Sequence, residues 1–320
     1  MLSLVNVMRD AAAHGLRSAP WLPQHRGLRR RLNDWFLTCG ASPEAIAPLQ
    51  SGVRIKLDLR ALSQRDAFYL GHYDREYIAS CTCLLDEGCV VLDVGANVGL
   101  TLLPLATRVK ALHGHIHAFE PVHENLVRLR ANIALNQLES VSSAWPFGLS
   151  SQSSSAQISL REDFLAGGRT GNASLVIDVS EGAFATETIE LRALDQFARQ
   201  TSLLARLDLI KVDIEGHEDY FLEGARDTLD KYRPVVAMEV NKTYYGRRGV
   251  DLDERLRQVV PDYQMLVSAH GLYRNWRVSE SINECKRLDN VLLVPRERLE
   301  QVQTRLRSRR HGTSKRMSLP

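Results

Sequence analysis

Short apolar runs that alternate with amphipathic helical segments dominate the sequence from residue 90 onward. The runs occupy residues 90–92, 115–119, 207–212 and 234–238. Each is followed by a turn or an acidic residue and then by a stretch with a period of 3.6 residues, as in 124–136 and 218–232. Strands that alternate with helices indicate βαβ units and a mainly parallel sheet. Because such crossovers are right-handed, we expect a doubly wound α/β layer.

Two other regions predict additions to this layer. The apolar runs at 263–269 and 290–294 have no long helix between them, which favours an antiparallel pair at one edge of the sheet. The short runs 156–160 and 174–179 flank the turn-forming sequence Gly167–Asn172. This pattern predicts an inserted β-hairpin, placed where it could cover a ligand.

The ends of the chain differ from its middle. Residues 1–75 are mostly helical by pattern and are broken by several prolines, so we expect an N-terminal helical cap. Residues 76–295 form the predicted main domain. Residues 296–320 are predicted to start as a helix and to end in a basic, disordered tail.

Composition limits the classes of protein to consider. With 320 residues, 44% apolar and 25% charged, the chain is neither mostly disordered nor a disulfide-stapled scaffold. The net charge of +3 conceals basic ends, because residues 1–35 carry a surplus of +4 and residues 296–320 one of +6. Residues 36–295 therefore carry −7. Basic ends are usually solvated, but they could also contact anionic lipid, nucleic acid or phosphorylated substrates.

The cysteines and the apolar stretches bear on location. An odd number of cysteines without a CxxC pair argues against a disulfide framework and a structural zinc site. Arg9 and Asp10 interrupt the N-terminal apolar residues, and no stretch approaches the roughly 20 apolar residues of a membrane span. We therefore expect a soluble, cytoplasmic protein with reduced thiols and no transmembrane segment.

The most informative segment is Val90–Gly99. Its apolar strand runs into Asp93, and a turn with Gly95 and Gly99 opens the next helix. Such a turn lies at the ligand crevice of a doubly wound sheet, where glycine lets the backbone approach a ligand. The spacing is G-x-x-x-G and not the G-x-G-x-x-G of dinucleotide-binding loops. An acid suits a ligand amine better than a pyrophosphate, which favours a cationic nucleoside bearing an amino acid; an NAD-dependent oxidoreductase is the alternative.

Carboxylates follow two further strands. Glu120 ends the next strand, 27 residues after Asp93, where it can accept hydrogen bonds from both hydroxyls of a ribose; Pro121 then begins a turn. Asp213 ends the strand at 207–212 and is followed by Glu215 in a tight turn. Capping of the next helix would explain such acids without a function. Their position at the mouth of the sheet favours function for Asp213 and Glu215, and capping for Glu218.

These motifs together resemble a known family. The segments Val91–Gly99, Phe119–Pro121 and Lys211–Glu218 are similar to those of FkbM-type methyltransferases, and the resemblance continues through 222–225 and 234–239. It spans roughly residues 70–295 and includes Tyr73-Asp74-Arg75-Glu76 upstream. Several motifs in one order are a far stronger signal than the glycine turn alone.

The resemblance implies an S-adenosylmethionine-dependent O-methyltransferase of the class I, Rossmann-like fold. Such a fold has a mainly parallel seven-stranded sheet with an antiparallel edge strand. The methyl acceptor would be a hydroxyl of a sugar, glycan or secondary metabolite. Glu120 would hold the ribose, and the segment around Gly148 would lie beside the adenine without an acid to bind it. The implied cofactor-binding residues are Asp93, Gly95, Ala96, Asn97, Gly99, Glu120, Pro121 and Gly148.

A hydroxyl is a weak nucleophile and gains from a general base. The candidates at the mouths of the strands are Asp213, Glu215, His217, Glu239 and Asn241, and we expect Asp213 first in this role, Glu215 second and His217 third. Asp213, Glu239 and Asn241 carry oxygen ligands suited to a hard divalent ion, but Val240 separates the last two, and the sequence favours a site without metal. The alternation His113-Gly-His115-Ile-His117 resembles a set of metal ligands, but the sequence favours a partly exposed turn that enters a strand.

Two alternatives belong to other classes of protein. The basic termini could serve a nucleic-acid-binding protein, although the acidic body argues against an extended phosphate footprint. A scaffold could also retain the cofactor fold without turnover. The sequence favours a small-molecule or glycan acceptor and no nucleic acid, and it leaves the acceptor's identity and the oligomeric state open.

Overall fold

The structure is a computed structural model of the whole chain. It describes residues 4–18, 26–160, 173–175, 185–201, 205–268, 275–286 and 288–312. Among these residues, no helix is both long and apolar enough to cross a membrane. All five cysteines are free thiols, as the sequence predicted.

The N-terminal region contains helices and one hairpin. Its elements are α1 (Leu4–Ser18), α2 (Arg26–Thr38), β1 (Glu44–Pro48), β2 (Arg54–Asp58), α3 (Leu62–Leu70) and α4 (Arg75–Thr82). The hairpin of β1 and β2 departs from the predicted helical cap. Ile55 and Leu57 alternate with more exposed residues along β2 and are fully buried, which is the pattern of a half-buried strand.

The central sheet is mixed and has eight strands among the described residues. The strands are β3 (Val90–Val94), β4 (His115–Phe119), β5 (Ser142–Trp145), β10 (Leu209–Val212), β11 (Val235–Asn241), β12 (Tyr263–Ser268), β13 (Trp276–Ser279) and β14 (Leu288–Pro295). Their order is β13-β12-β14-β11-β10-β3-β4-β5. The strands from β11 to β5 are parallel, whereas β14, β12 and β13 pair antiparallel.

The sequence therefore predicted the α/β layer and the antiparallel pairing of β12 with β14, but not the size of the sheet. The predicted seven strands become eight, and the antiparallel part has three strands instead of one edge strand. The additional strand is β13, which pairs with β12 and forms the edge. Its sequence, Trp-Arg-Val-Ser, is too short and polar to stand out as an apolar run.

Helices cover both faces of this sheet. They are α5 (Leu102–Ala111), α6 (His123–Leu135), α7 (Leu194–Thr201), α8 (Glu218–Glu223), α9 (Arg226–Tyr232), α10 (Lys242–Arg248), α11 (Leu252–Val259) and α12 (Leu299–Gly312), with short 3₁₀ turns at Ile282–Glu284 and Arg296–Arg298. Neighbouring residues of β3 lie in different cores, Val91 on one face and Leu92 on the other. The helix predicted over 218–232 is two helices, α8 and α9, that meet at Gly224 and Ala225.

A second, smaller sheet adjoins the carboxyl ends of the central strands. It contains β6 (Gly148–Leu149), β7 (Ser154–Leu160), β8 (Ala173–Ser174) and β9 (Thr186–Arg192), in the order β6-β9-β7-β8. The antiparallel pair β7 and β8 corresponds to the predicted inserted hairpin, whose turn at 167–172 lies outside the described residues. The sequence did not predict β9, which pairs with β7 over six residue pairs.

The C-terminal helix α12 packs on the body of the protein. Val302 and Leu306 are buried in the core that includes β3, and Arg305 donates a hydrogen bond to the carbonyl of Leu84 at 3.1 Å. Arg309 pairs with Glu76 of α4 at 3.1 Å. The predicted tail is thus a helix as far as residue 312, which is held because Val302 and Leu306 face the core while Arg305 and Arg309 pair with Asp86 and Glu76. The predicted domain boundaries at 75 and 295 stay predictions.

Candidate active site

An open cavity lies where the strand order reverses. Successive strands run from β3 to β4 and β5 on one side and from β10 to β11 on the other, so the switch point lies between β3 and β10. Ligands of open α/β sheets bind in the crevice outside the carboxyl ends at such a point. The cavity there has a volume of about 900 Å³, open solvent included. The small sheet contributes apolar residues to its wall: Ile158, Ala173, Ile189 and Leu191.

Backbone hydrogen bonds to β4 hold the glycine turn after β3 in place. The N–H groups of Gly95 and Ala96 donate to the carbonyl of Phe119 at 3.0 and 3.1 Å. Gly95 has a φ of +77°, and a Cβ there would lie 2.0 Å from the carbonyl oxygen of Asp213. Glycine is therefore required for contact between this turn and the one after β10, in addition to any approach to a ligand.

Glu120 joins the glycine turn to the start of α6. Its carboxylate accepts hydrogen bonds from the backbone N–H of Asn97 at 2.8 Å and of Val122 at 2.9 Å. The side chain lies on the cavity wall although only 4% of the residue is exposed. Burial raises the pKa of Glu120 to about 7, against the opposing effect of these N–H groups. Oε1 also accepts from Asn125 Nδ2 at 3.4 Å, whereas Oε2 has a second lone pair that can accept a ligand hydroxyl besides the bond from Asn97.

Asp93 faces Lys211 and not the cavity. The two residues are register partners on β3 and β10, and Lys211 Nζ lies 3.0 Å from Asp93 Oδ1. Lys211 also donates to the carbonyl of Gly95 at 2.9 Å and lies 3.8 Å from Asp213 Oδ2. Burial opposes the charge of Lys211, but Asp93 and Asp213 outweigh it and raise the pKa of the lysine. Lys211 lines the cavity, whereas Asp93 is fully buried behind it.

The turn after β10 presents two carboxylates to the cavity. Asp213 and Glu215 both line the wall, and the side chain of Asp213 is 30% exposed. Glu215 has a φ of +55°, a left-handed conformation that is uncommon outside glycine and often marks functional turns. The carbonyl of Glu215 accepts a hydrogen bond from Ser174 Oγ at 2.9 Å, which ties the turn to the small sheet.

Glu218 stabilises this turn from inside the protein. Its Oε1 accepts from the N–H groups of Ile214 and Gly216, each at 3.1 Å, and its other oxygen accepts from the hydroxyl of Tyr245. Only 1% of the residue is exposed. The structural role that the sequence favoured for Glu218 agrees with these contacts.

His217 lies on the cavity wall as a neutral side chain. Its Nε2 is 2.9 Å from Ser150 Oγ, and its ring lies 4.6 Å from that of Tyr220. Burial lowers the pKa of His217 to about 4. An imidazole with such a low pKa is a weak proton acceptor at neutral pH, so His217 suits a hydrogen-bonding role better than that of a general base.

Three carboxylates come together at the ends of β10 and β11. Oxygen atoms of Asp213, Glu215 and Glu239 lie within 4.8 Å of one another, a spacing that a divalent ion could bridge. Burial, and then Asp213, raise the pKa of Glu239 well above its ordinary value. Asn241 does not join this group as an evident ligand, because its side-chain oxygen accepts from the N–H of Thr243 and caps α10.

The structure brings most of the predicted site residues to one cavity. Those on its wall are Gly95, Ala96, Asn97, Glu120, Pro121, Gly148, Asp213, Glu215 and His217. Asp93 and Gly99 are not on the wall, and a Cβ on Gly99 would lie 3.0 Å from Leu129. His115 and His117 point into contacts with Ser143 and Trp145, at 2.9 and 3.4 Å. Sequence reasoning gave no role to Lys211. A lysine within a buried apolar run is unusual, however, and by itself indicates a specific partner for its charge.

The wall of the cavity fits a nucleoside that carries an amino acid and a positive charge. Glu120 can accept ribose hydroxyls, and Asp213 and Glu215 suit cationic groups. Leu149 and Val122 provide apolar surface near Gly148 for a base. Lys211 is the sole lysine or arginine among the described residues that line the cavity. The doubly wound sheet and this cavity define an α/β protein that binds a nucleotide-like ligand at its switch point.

The chain belongs to the family described as Methyltransferase FkbM domain, whose sequence model matches residues 93–267. This confirms the resemblance found in the sequence. The chain accordingly carries a methyltransferase domain, whose cofactor is S-adenosylmethionine.

Solved structures give more distant likenesses. A Methyltransferase FkbM from Methylobacillus flagellatus KT is 18% identical with a TM-score of 0.43; the match covers 75% of this chain but only 56% of that longer one. TYW2 from M. jannaschii, crystallised with AdoMet, is 15% identical with a TM-score of 0.41, over 80% of this chain and 86% of that one. A precorrin-6y C5,15-methyltransferase from Geobacter metallireducens GS-15 is 10% identical with a TM-score of 0.37, over 70% and 89%. The comparison with curated proteins gave no match.

Proposed function

We propose that this methyltransferase transfers a methyl group to a hydroxyl of a sugar, glycan or secondary metabolite. The observation that carries the proposal is the position of Asp213, a partly exposed carboxylate on the cavity wall beside the glycine turn. A carboxylate there can accept the proton of an acceptor hydroxyl as that oxygen attacks. Glu215, on the same wall, is the second candidate for this role or for positioning the acceptor.

The residues on the wall of the cavity would have separate roles in binding the cofactor, orienting the acceptor and excluding water. Bound S-adenosylmethionine supplies an electrophilic methyl group on a sulfonium. Glu120 and the backbone of Gly95, Ala96 and Asn97 would hold the nucleoside, with Pro121 and Gly148 at the base. Asp213 would orient the acceptor hydroxyl and take its proton, because in-line transfer depends mainly on alignment. Ile158, Ile189 and Leu191 of the small sheet would exclude water from above.

Calorimetry tests the cofactor, and a labelled methyl group tests the acceptor. S-Adenosylhomocysteine and NAD are titrated in parallel, and binding of NAD alone would overturn the proposal in favour of an oxidoreductase. Incubation with methyl-labelled S-adenosylmethionine then compares sugars, glycans and polyketides with RNA. Label that enters hydroxyl acceptors in a base-stable linkage supports O-methylation. Label that enters RNA alone would favour the nucleic-acid alternative.

Two substitutions separate binding from transfer. Glu120→Ala should weaken binding of S-adenosylhomocysteine, because it removes the carboxylate expected to accept the ribose hydroxyls. Asp213→Asn should leave that binding near normal and slow methyl transfer. Equal loss of cofactor binding in both proteins would reject this division. Normal binding without transfer to any acceptor in the wild-type protein would point to a scaffold.

We also propose a cytoplasmic location, supported by the five free cysteines. Cell fractionation tests this proposal. Recovery with the membrane fraction at high salt would contradict it.

A further inference from the structure

We propose that Lys211 is a positioning residue for the glycine turn after β3. Its ammonium group connects β3, this turn and Asp213, the proposed base. This inference depends on S-adenosylmethionine as the cofactor and not on the acceptor proposed above. Lys211 lies on β10, one of the two strands that flank the switch point, and its side chain is only 5% exposed. A lysine buried to this extent requires partners for its charge.

The partners of Lys211 come from three different segments. Asp93 Oδ1, from the neighbouring strand β3, lies 3.0 Å from Nζ, the carbonyl of Gly95 accepts at 2.9 Å, and Asp213 Oδ2 lies 3.8 Å away. One ammonium group therefore fixes the glycine turn relative to the turn after β10. The same two turns touch directly, because Gly95 packs against the carbonyl of Asp213.

Asp93 depends on this lysine. The residue is fully buried, and neither carboxylate oxygen has a hydrogen-bond partner within the described part of the chain. The contact with Lys211 is an ion pair, so Asp93 supplies the charge that keeps the ammonium group in place. Since Lys211 and not Asp93 reaches the cavity wall, this acid of β3 acts on the cofactor through the lysine.

The hydrogen bond from Lys211 to the carbonyl of Gly95 complements the bonds that hold the rest of the glycine turn. Phe119 accepts from the N–H groups of Gly95 and Ala96, and Glu120 accepts from that of Asn97. The carbonyl of Gly95 is the group that Lys211 adds to this set. With these groups bonded, the turn is preorganised before the cofactor enters, which lowers the cost of binding.

The test removes the lysine and its charge partner together. Lys211→Met alone leaves Asp93 as an uncompensated buried charge and should destabilise the fold. The D93N/K211M protein avoids that penalty but still lacks the hydrogen bond to the carbonyl of Gly95. We expect it to bind S-adenosylhomocysteine at least about tenfold more weakly than wild type in calorimetry, since a hydrogen bond from a charged group is lost. Amides of the segment 94–101 should also exchange faster with solvent.

The outcomes are distinct from those of the proposed function, because no acceptor is involved. Wild-type affinity in D93N/K211M would show that Lys211 only neutralises Asp93. Unchanged amide exchange over residues 94–101 would show that the bond from Lys211 to Gly95 does not hold the turn. If the double variant does not fold, Lys211→Arg retains the charge beside Asp93 with a different reach, and wild-type affinity there would overturn the proposal. Lys242→Met is the matched control: Lys242 donates to the carbonyls of Asn283 and Cys285, away from the cavity wall, and its loss should leave affinity unchanged.

Discussion

The proposed ribose-binding role of Glu120 predicts that cofactor affinity depends on pH. Only 4% of Glu120 is exposed, and burial raises its pKa to about 7 although Asn97 and Val122 donate hydrogen bonds to it. Ribose hydroxyls donate to an ionised carboxylate more strongly than to the protonated acid. Binding should therefore take place with the ionised form and weaken as the pH falls below about 7.

The size of the effect follows from the pKa. If only the ionised carboxyl binds, the affinity for S-adenosylhomocysteine should be about 25-fold weaker at pH 5.5 than at pH 7.5, with a pKa of about 7. Calorimetry at several pH values measures this slope. Glu120→Gln should weaken binding at pH 7.5 and abolish the slope, and any titration of the ligand itself would appear equally in both proteins.

A second acid titrates in the same interval and supplies the control. Burial, and then Asp213, raise the pKa of Asp74 to about 6. Asp74→Asn should retain the wild-type slope, because Asp74 is not on the cavity wall. A flat wild-type profile, or an equal slope in the E120Q protein, would refute the assignment of Glu120 to the ribose.

The same pKa has a consequence for folding. A carboxyl whose pKa is higher in the folded state than its ordinary 4.5 holds its proton more tightly when folded. Its ionisation therefore costs stability as the pH rises from 4.5 to about 7, by about 3 kcal/mol. Urea unfolding should show a smaller loss over this interval in E120Q than in the wild type.

Three further predictions concern the base, the glycine turn and the last helix. Asp213→Asn should change the dissociation constant for S-adenosylhomocysteine less than threefold and slow methyl transfer by roughly 10²–10⁴-fold with the acceptor found by labelling; an unaltered rate would remove Asp213 from the chemistry. Gly95→Ala should destabilise the fold in urea by more than Gly52→Ala, since both have positive φ but only the Cβ at Gly95 meets a backbone atom, at 2.0 Å; equal losses would contradict the contact with Asp213. Truncation after residue 298 should lower the melting temperature, because it removes the buried Val302 and Leu306 and exposes the core residues that they cover; a chain truncated after residue 312 keeps both residues and is the control.

The α/β layer could be predicted because each central strand is a continuous apolar run. Strands buried on both faces, such as β10 with four buried residues, leave that pattern in the sequence. The hairpin of β1 and β2 was missed because polar, more exposed residues interrupt the buried ones in both strands and the buried positions of β1 are alanines. In β9, Ile189 and Leu191 alternate with polar residues, which indicates a half-buried strand. A search for continuous apolar runs does not detect this pattern.

The candidate site was predictable where residues follow strand ends, and less so where contacts cross the sheet. Glu120, Asp213 and Glu215 lie at the cavity because the carboxyl ends of parallel strands share one edge. The role of Asp93 depends on the register that sets it opposite Lys211, which no pattern within either strand contains. The low pKa of His217 depends likewise on burial by distant parts of the chain.

The position of β14 has a consequence for the synthesis of the chain. This strand lies between β11 and β12 although it is the last strand of the sheet along the chain. Until residue 295 has left the ribosome, β11 exposes an unpaired edge and the ribbon of β12 and β13 has no attachment to the parallel strands. Such edges invite pairing with other chains. Nascent chains stalled before β14 should therefore depend most on chaperones, and release beyond residue 295 should end that dependence.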